Sequence, residues 1–150
     1  MKSILLLFAL ILPSPPAGER QILRVHGIGD QIYLCGGSWT LKAPDAKLVS
    51  SENKMVGRHF AGPTWEWSDK SAVTGKVTAT EPSPAADSIP WLLLTVVRHE
   101  GNGFFSRVTS IQRIKTKGGK APASGCDAAH SGMERRVAYE ADYVFYAKDN

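Results

Sequence analysis

The sequence predicts an all-β fold, a single-domain antiparallel sandwich or barrel with long loops. Three observations carry this. Apolar and polar residues alternate cleanly over Ala72–Thr80 and again over Arg135–Tyr146. Glycine, proline and Asn-Gly signals punctuate the chain at short intervals. No long stretch keeps helical spacing.

The 150-residue length suits one domain with a sizeable core. With 43% hydrophobic and 21% charged residues, the composition is that of a globular chain and excludes a disordered one. The charge of +4, from 18 basic and 14 acidic residues, is small and mixed along the chain. With no binding motif beside it, it does not point to nucleic acid.

Residues 1–12 carry one lysine and then the nine apolar residues Ile4–Leu12. That is the pattern of a secretory signal, too short for a stable transmembrane span. Pro13, Pro15 and Pro16 make a stiff linker. The expected organisation is therefore a signal-like segment and linker over residues 1–17 and one all-β domain over 18–150, in a secreted or periplasmic protein.

Gln21–Val25 reads as a short strand, Gly27–Asp30 as a turn and Gln31–Cys35 as a second strand. Gly36-Gly37 turns again, and Ser38–Ala43 alternates. Pro44 makes Ala43–Leu48 a turn or a single helical turn. The densest stretch is 57–75, with a histidine, three aromatics, two carboxylates and Gly62-Pro63. It predicts a strand, a turn and a second strand, then a turn at Ser68–Ser71 leading into the Ala72–Thr80 strand. Pro82 and Pro84 mark an exposed loop over Glu81–Ile89. Trp91–Val97 has no polar face but for Thr95, so a central strand covered on both sides is expected. Gly101-Asn102-Gly103 makes it the first arm of a hairpin. The β-branched return arm, Phe104–Thr116, reads as a strand with a bulge. Lys117–Gly132 is a long loop, and Arg135–Tyr146 a strand long enough to cross a whole sheet.

The motifs, taken in order, are Gly29–Cys35, Trp39 with Ala43–Ala46, Gly57-x-His59-x-Ala61-Gly62-Pro63-Thr64-Trp65-Glu66, and Ile89–Leu94. They continue with Thr109–Arg113, Thr116-x-Gly118-Gly119-x-Ala121-Pro122, Cys126 and Tyr139-x-Ala141-Asp142-Tyr143-x-Phe145-Tyr146. This set resembles a family of small exported bacterial and fungal proteins known only as a domain of unknown function, over roughly residues 16–147. The resemblance implies an exported β domain and no established activity. Some fungal relatives carry a malate dehydrogenase label, for which this chain has no cofactor fingerprint. Lys70 stands where the resemblance implies a glycine after Asp69.

The chemistry is sparse. An even cysteine count in an exported protein reads as a Cys35–Cys126 disulfide; in a chain kept inside the cell the same pair would be two buried thiols. His59, Glu66 and Asp69 are the compact set of catalytic type. If the chain reverses at Gly62-Pro63, His59 and Glu66 become cross-strand neighbours, suited to acid/base work or to a structural hydrogen bond. Trp65 and Trp67 share one strand face, with Glu66 on the other. Trp65 is expected in the core, against Trp91 or Tyr143, and Trp67 in a stacking platform for a carbohydrate or another small ligand. Gln112 and Arg113 interrupt an apolar strand and complete the ligand-binding candidates. No cofactor and no metal site is expected. Gly27-x-Gly29 lacks the third glycine of a dinucleotide fingerprint, the lysines around Gly118-Gly119 lack phosphate-loop spacing, and His-Glu-x-x-His, Cys-x-x-Cys and Gly-x-Ser-x-Gly are missing. The leading reading is a binding or envelope-associated module. Beside it stand a small hydrolase or lyase using His59 and Glu66, and a purely structural surface protein.

Overall fold

The computed structural model describes residues 13–149; the signal-like run at 1–12 lies outside them. Eight antiparallel strands close into one barrel, each pairing with the next and the last with the first. They are β1 (Glu19–Cys35), β2 (Trp39–Val49), β3 (Met55–Phe60), β4 (Thr64–Trp67), β5 (Ala72–Glu81), β6 (Trp91–Glu100), β7 (Val108–Gly118) and β8 (Glu134–Lys148). Short 3-10 turns at Phe104–Arg107 and Ala128–His130 are the helical elements among the described residues. None is long and apolar enough to cross a membrane. Closure pairs every strand on both sides over part of its length and so removes the exposed sheet edge of an open sheet. Of the two architectures expected, the barrel is the one adopted.

Two expected breaks are continuous strand. Gly27 and Gly29 lie inside β1, opposite Leu48 and Ala46 of β2. A Cβ at Gly27 would come within 2.5 Å of the Tyr143 ring, and one at Gly29 within 2.1 Å of the Asp45 carbonyl oxygen. These glycines admit a close approach and do not turn the chain. Pro44 likewise sits within β2, opposite Gln31. Lys70, in the β4–β5 turn, takes the left-handed φ of 75° that suits glycine there. Where one bulge is expected in a strand over Phe104–Thr116, β7 starts only at Val108 after a 3-10 turn and shifts register twice, at Val108/Ser110 and Ile114/Lys117. The two-sided cover expected of β6 holds at Leu93 and Leu94; from Thr95 on the strand is largely exposed, and Val97 is 61% accessible.

The barrel interior is filled by alternate residues of the strands. Val25, Leu48, Trp65, Val73, Leu94, Val108, Ile111, Tyr139, Tyr143 and Phe145 form one core with Phe105. Trp65 meets Tyr143 edge-on with ring centroids 5.7 Å apart, as expected, and Phe145 at 6.4 Å. Trp67, Phe104 and Phe105 stack around the end where β4 turns into β5. We call that the lower end. Asp69 holds it together, accepting from the Ser71 amide at 2.8 Å, the Ser71 hydroxyl at 2.6 Å and the Phe104 amide at 2.7 Å.

The upper end carries the β1–β2 and β3–β4 turns and the two long loops, 82–90 and 119–133. Cys35 and Cys126 form a disulfide that ties the second loop to β1. Backbone hydrogen bonds of Cys35 to Met133 and of Gly132 to Cys35 repeat the tie. Ile89 donates to the Gly118 carbonyl, and Thr116 Oγ1 to the Ile89 carbonyl at 2.6 Å, fastening the first loop to β7. The upper end is thus roofed by loops.

Candidate functional site

The β3–β4 hairpin is short, and this opens the wall. β2 pairs with β3 only from Ala46 to Val49, and β4 pairs with β5 only from Thr64 to Glu66. Above Gly62-Pro63, β2 and β5 face each other with no strand between them. Two missing strands correspond to three inter-strand spacings, about 14 Å from β2 to β5. A cavity of about 290 Å³ lies behind this window. Its walls include Leu41, Ala43 and Pro44 of β2, Val77 of β5, and Leu92 and Leu94 of β6. Leu41 and Val77 stand at the rim, 52% and 45% accessible.

Polar side chains converge on the inner wall: Gln31, His59, Arg113 and Tyr143. Each arrives by strand alternation. Gln31 is an inward position of β1, between Gly29 and Tyr33. His59 is opposite Trp65 across the hairpin and stacks on it, with ring centroids 4.3 Å apart and planes at 16°. Its Nδ1–H donates to the Thr64 carbonyl at 2.8 Å, which leaves Nε2 as the acceptor of a neutral ring. Complete burial pushes its pKa down to about 3, against the stabilising Thr64 hydrogen bond. The imidazole is therefore uncharged at neutral pH.

Arg113 is the charge of this site. Nε and Nη2 donate to the Pro90 carbonyl at 3.0 and 2.8 Å, so the first upper loop fixes the plane of the guanidinium. Burial pulls its pKa below the usual arginine value, and the Tyr143, Tyr139 and Tyr33 hydroxyls oppose that pull. Arginine stays protonated regardless. Among the described residues it forms no ion pair. Burial raises the phenol pKa of Tyr143 and Tyr139, and their hydroxyls share a hydrogen bond of 2.8 Å. Two of the lining side chains also carry buried polar atoms without a partner, Gln31 Oε1 and Trp65 Nε1. Burying such atoms unpaired is costly, and native interiors do so rarely.

Of the residues singled out from the sequence, His59 and Arg113 meet here. Glu66 does not join them. Its cross-strand neighbour is Arg58, so it lies on the outer face, with Lys70 Nζ at 3.8 Å. Asp69 belongs to the lower end, where the Ser71 hydroxyl and the Phe104 and Ser71 amides hold its pKa below the usual carboxylate range. Trp67 is also at the lower end, half-buried against Phe104 and Phe105. Gln112 faces away from Arg113. Its Oε1 accepts from the Tyr146 hydroxyl at 2.6 Å and its Nε2 donates to the Pro13 carbonyl. Asp142 does not reach Arg113 and binds Arg24 and His26. Gln31 and Tyr143 had no place among the sequence candidates. The signal for Gln31 was its place in the alternation of β1, visible only once Gly27–Asp30 is read as strand.

No cluster of His, Cys, Asp or Glu among the described residues is arranged to hold a metal. The family model DUF3455, described as a protein of unknown function, matches residues 16–147. No curated protein and no solved structure matches the chain.

Proposed function

The chain belongs to the DUF3455 family of proteins of unknown function, and we propose that it is an exported module that binds a small ligand inside the upper half of its barrel. The observation that carries this reading is the cavity behind the β2–β5 window, apolar on its outer walls with polar groups converging within. Ligand sites in small barrels have this form, a concave and mostly apolar space with a few fixed polar groups. The partnerless Gln31 Oε1 and Trp65 Nε1 are atoms that a ligand or water would satisfy. The disulfide supports export, since such bonds persist in oxidising compartments. The signal-like apolar run Ile4–Leu12 supports it further.

Thermal-shift screening of a small-molecule library, run on the wild type and on Leu92→Trp, tests the cavity. Leu92 lines it and lies opposite Arg113 on the same sheet face, so tryptophan there should fill it and abolish every genuine hit. Hits that survive the substitution, or a diverse library without any hit, would defeat the reading. N-terminal sequencing of exported material tests the compartment; a chain beginning at Met1 counts against it.

A further inference from the structure

Resting on the reading of the cavity as a ligand site, we propose that its ligand is an amphipathic monocarboxylate. The acid binds Arg113, and the apolar body lies along Leu92 and Leu94 towards Leu41 and Val77 at the window. The charge of the site decides the class. None of the cavity-lining residues among those described is acidic. The other lysine or arginine lining it, Lys42, is already paired with Glu134. His59 gives its Nδ1–H to Thr64 and presents a neutral ring. One guanidinium therefore stands against no anion, in a space walled by aliphatic side chains. Removing a charge from water without a counter-charge is costly, and a ligand carrying one negative charge removes that cost. A phosphate dianion would leave one charge unbalanced in the same space.

The donors have the geometry for it. A guanidinium has five N–H groups. The Pro90 carbonyl takes one from Nε and one from Nη2, and Tyr143 supplies a further hydrogen-bonding oxygen. Donors remain, held in a plane that Pro90 has fixed, and a fixed guanidinium plane suits a carboxylate. The rim residues are apolar and accessible, so the body of the ligand leaves by the wall and needs no polar exit.

Isothermal calorimetry on the disulfide-bonded protein would use octanoate and phenylpropionate, the methyl ester and primary alcohol of each skeleton, and octyl phosphate. At least one acid should bind about tenfold or more tightly than its own ester and alcohol, as a charge-assisted hydrogen bond requires. Arg113→Gln should erase that preference and Arg113→Lys should keep part of it. If Arg113→Gln does not fold, the ratio of acid to ester in the wild type decides alone. Esters and alcohols that bind as tightly as the acids would overturn the carboxylate and leave the cavity reading standing. Tighter binding of octyl phosphate would overturn it in favour of a phosphate. Binding of the acids that Leu92→Trp leaves intact would place them elsewhere and overturn it. If no probe binds, the inference fails; the cavity reading then stands or falls on the library screen.

Discussion

The buried, neutral His59 should make this protein lose stability on mild acidification, by an amount the structure sets. In the native state its pKa is about 3, against 6.5 for the free side chain. Above pH 6.5 neither state holds the proton and the residue contributes nothing to pH dependence. Below it the unfolded chain takes up a proton that the native ring refuses, so stability falls as pH falls, down to about 3. Each pH unit in that window is worth about 1.36 kcal/mol, so stepping from pH 6.5 to about pH 4.5 should cost about 2–3 kcal/mol. Other shifted groups act mainly outside the step from pH 6.5 to about pH 4.5. His26 is raised by Asp142 and Glu140 against its own desolvation, so its contribution is full below 6.5 and fades as pH rises. The lowered carboxyls of Asp69, Asp127 and Asp142 lose their contribution only as pH falls below the ordinary aspartate value of 3.8. The assay is urea unfolding at half-unit pH steps for the wild type and His59→Gln. Glutamine retains an N–H for Thr64 and does not titrate. The wild-type curve should be steeper by about one proton over the window. Equal slopes would show that His59 takes up a proton in the native state as readily as in the unfolded one, and the burial that lowers its pKa would be wrong.

Trp65→Ala should cost about 3–5 kcal/mol in the same assay, since the ring is 1% accessible and packs on His59, Tyr143 and Phe145. A loss under 1 kcal/mol would place it outside the core. Gly27→Ala should cost about 1–3 kcal/mol, because the added Cβ meets the Tyr143 ring; an unchanged melting temperature would contradict the close β1–β8 approach. Glu66→Gln should move stability by less than about 0.5 kcal/mol, its contact being a 3.8 Å pair with a largely exposed Lys70. Unfolding by that substitution would show a buried role that the register excludes. Reducing the Cys35–Cys126 bond, which spans a separation of 91 residues, should lower stability by at most about 4–5 kcal/mol. Thiol titration of native oxidised protein should find neither cysteine reactive.

The all-β class and several strand positions were legible in the sequence because they depend on local chemistry. Alternation over Val137–Phe145, and over Ala72–Thr80 as far as the β5 bulge at Val77/Ala79, sets which side chains share a face. Gly62-Pro63 and the glycines at 101 and 103 mark chain reversals, as they should. The pairing of Cys35 with Cys126 needed only a count of two and the expectation of export. The same local reading failed where one residue type serves two purposes. Gly27 and Gly29 look like a turn, and only the Tyr143 ring and the Asp45 carbonyl show that their missing side chains make room for neighbours. Pro44 looks like a break, yet it lies within β2 and lines the cavity beside the window.

The site depended still more on tertiary structure. His59 and Glu66 are close in sequence and ionisable, which invites pairing them, but one residue of register puts Trp65 opposite His59 and sends Glu66 outside. Whether Arg113 or its neighbour Gln112 faces inward depends on the bulged register of β7, which a linear pattern cannot resolve. Gln31, His59 and Arg113 come from three strands, and only closure of the barrel brings them to one wall. Local chemistry set the fold class, several of the strands and the bridge. The sheet decided which groups meet, because side-chain direction in a strand reverses with every residue and register is set between strands.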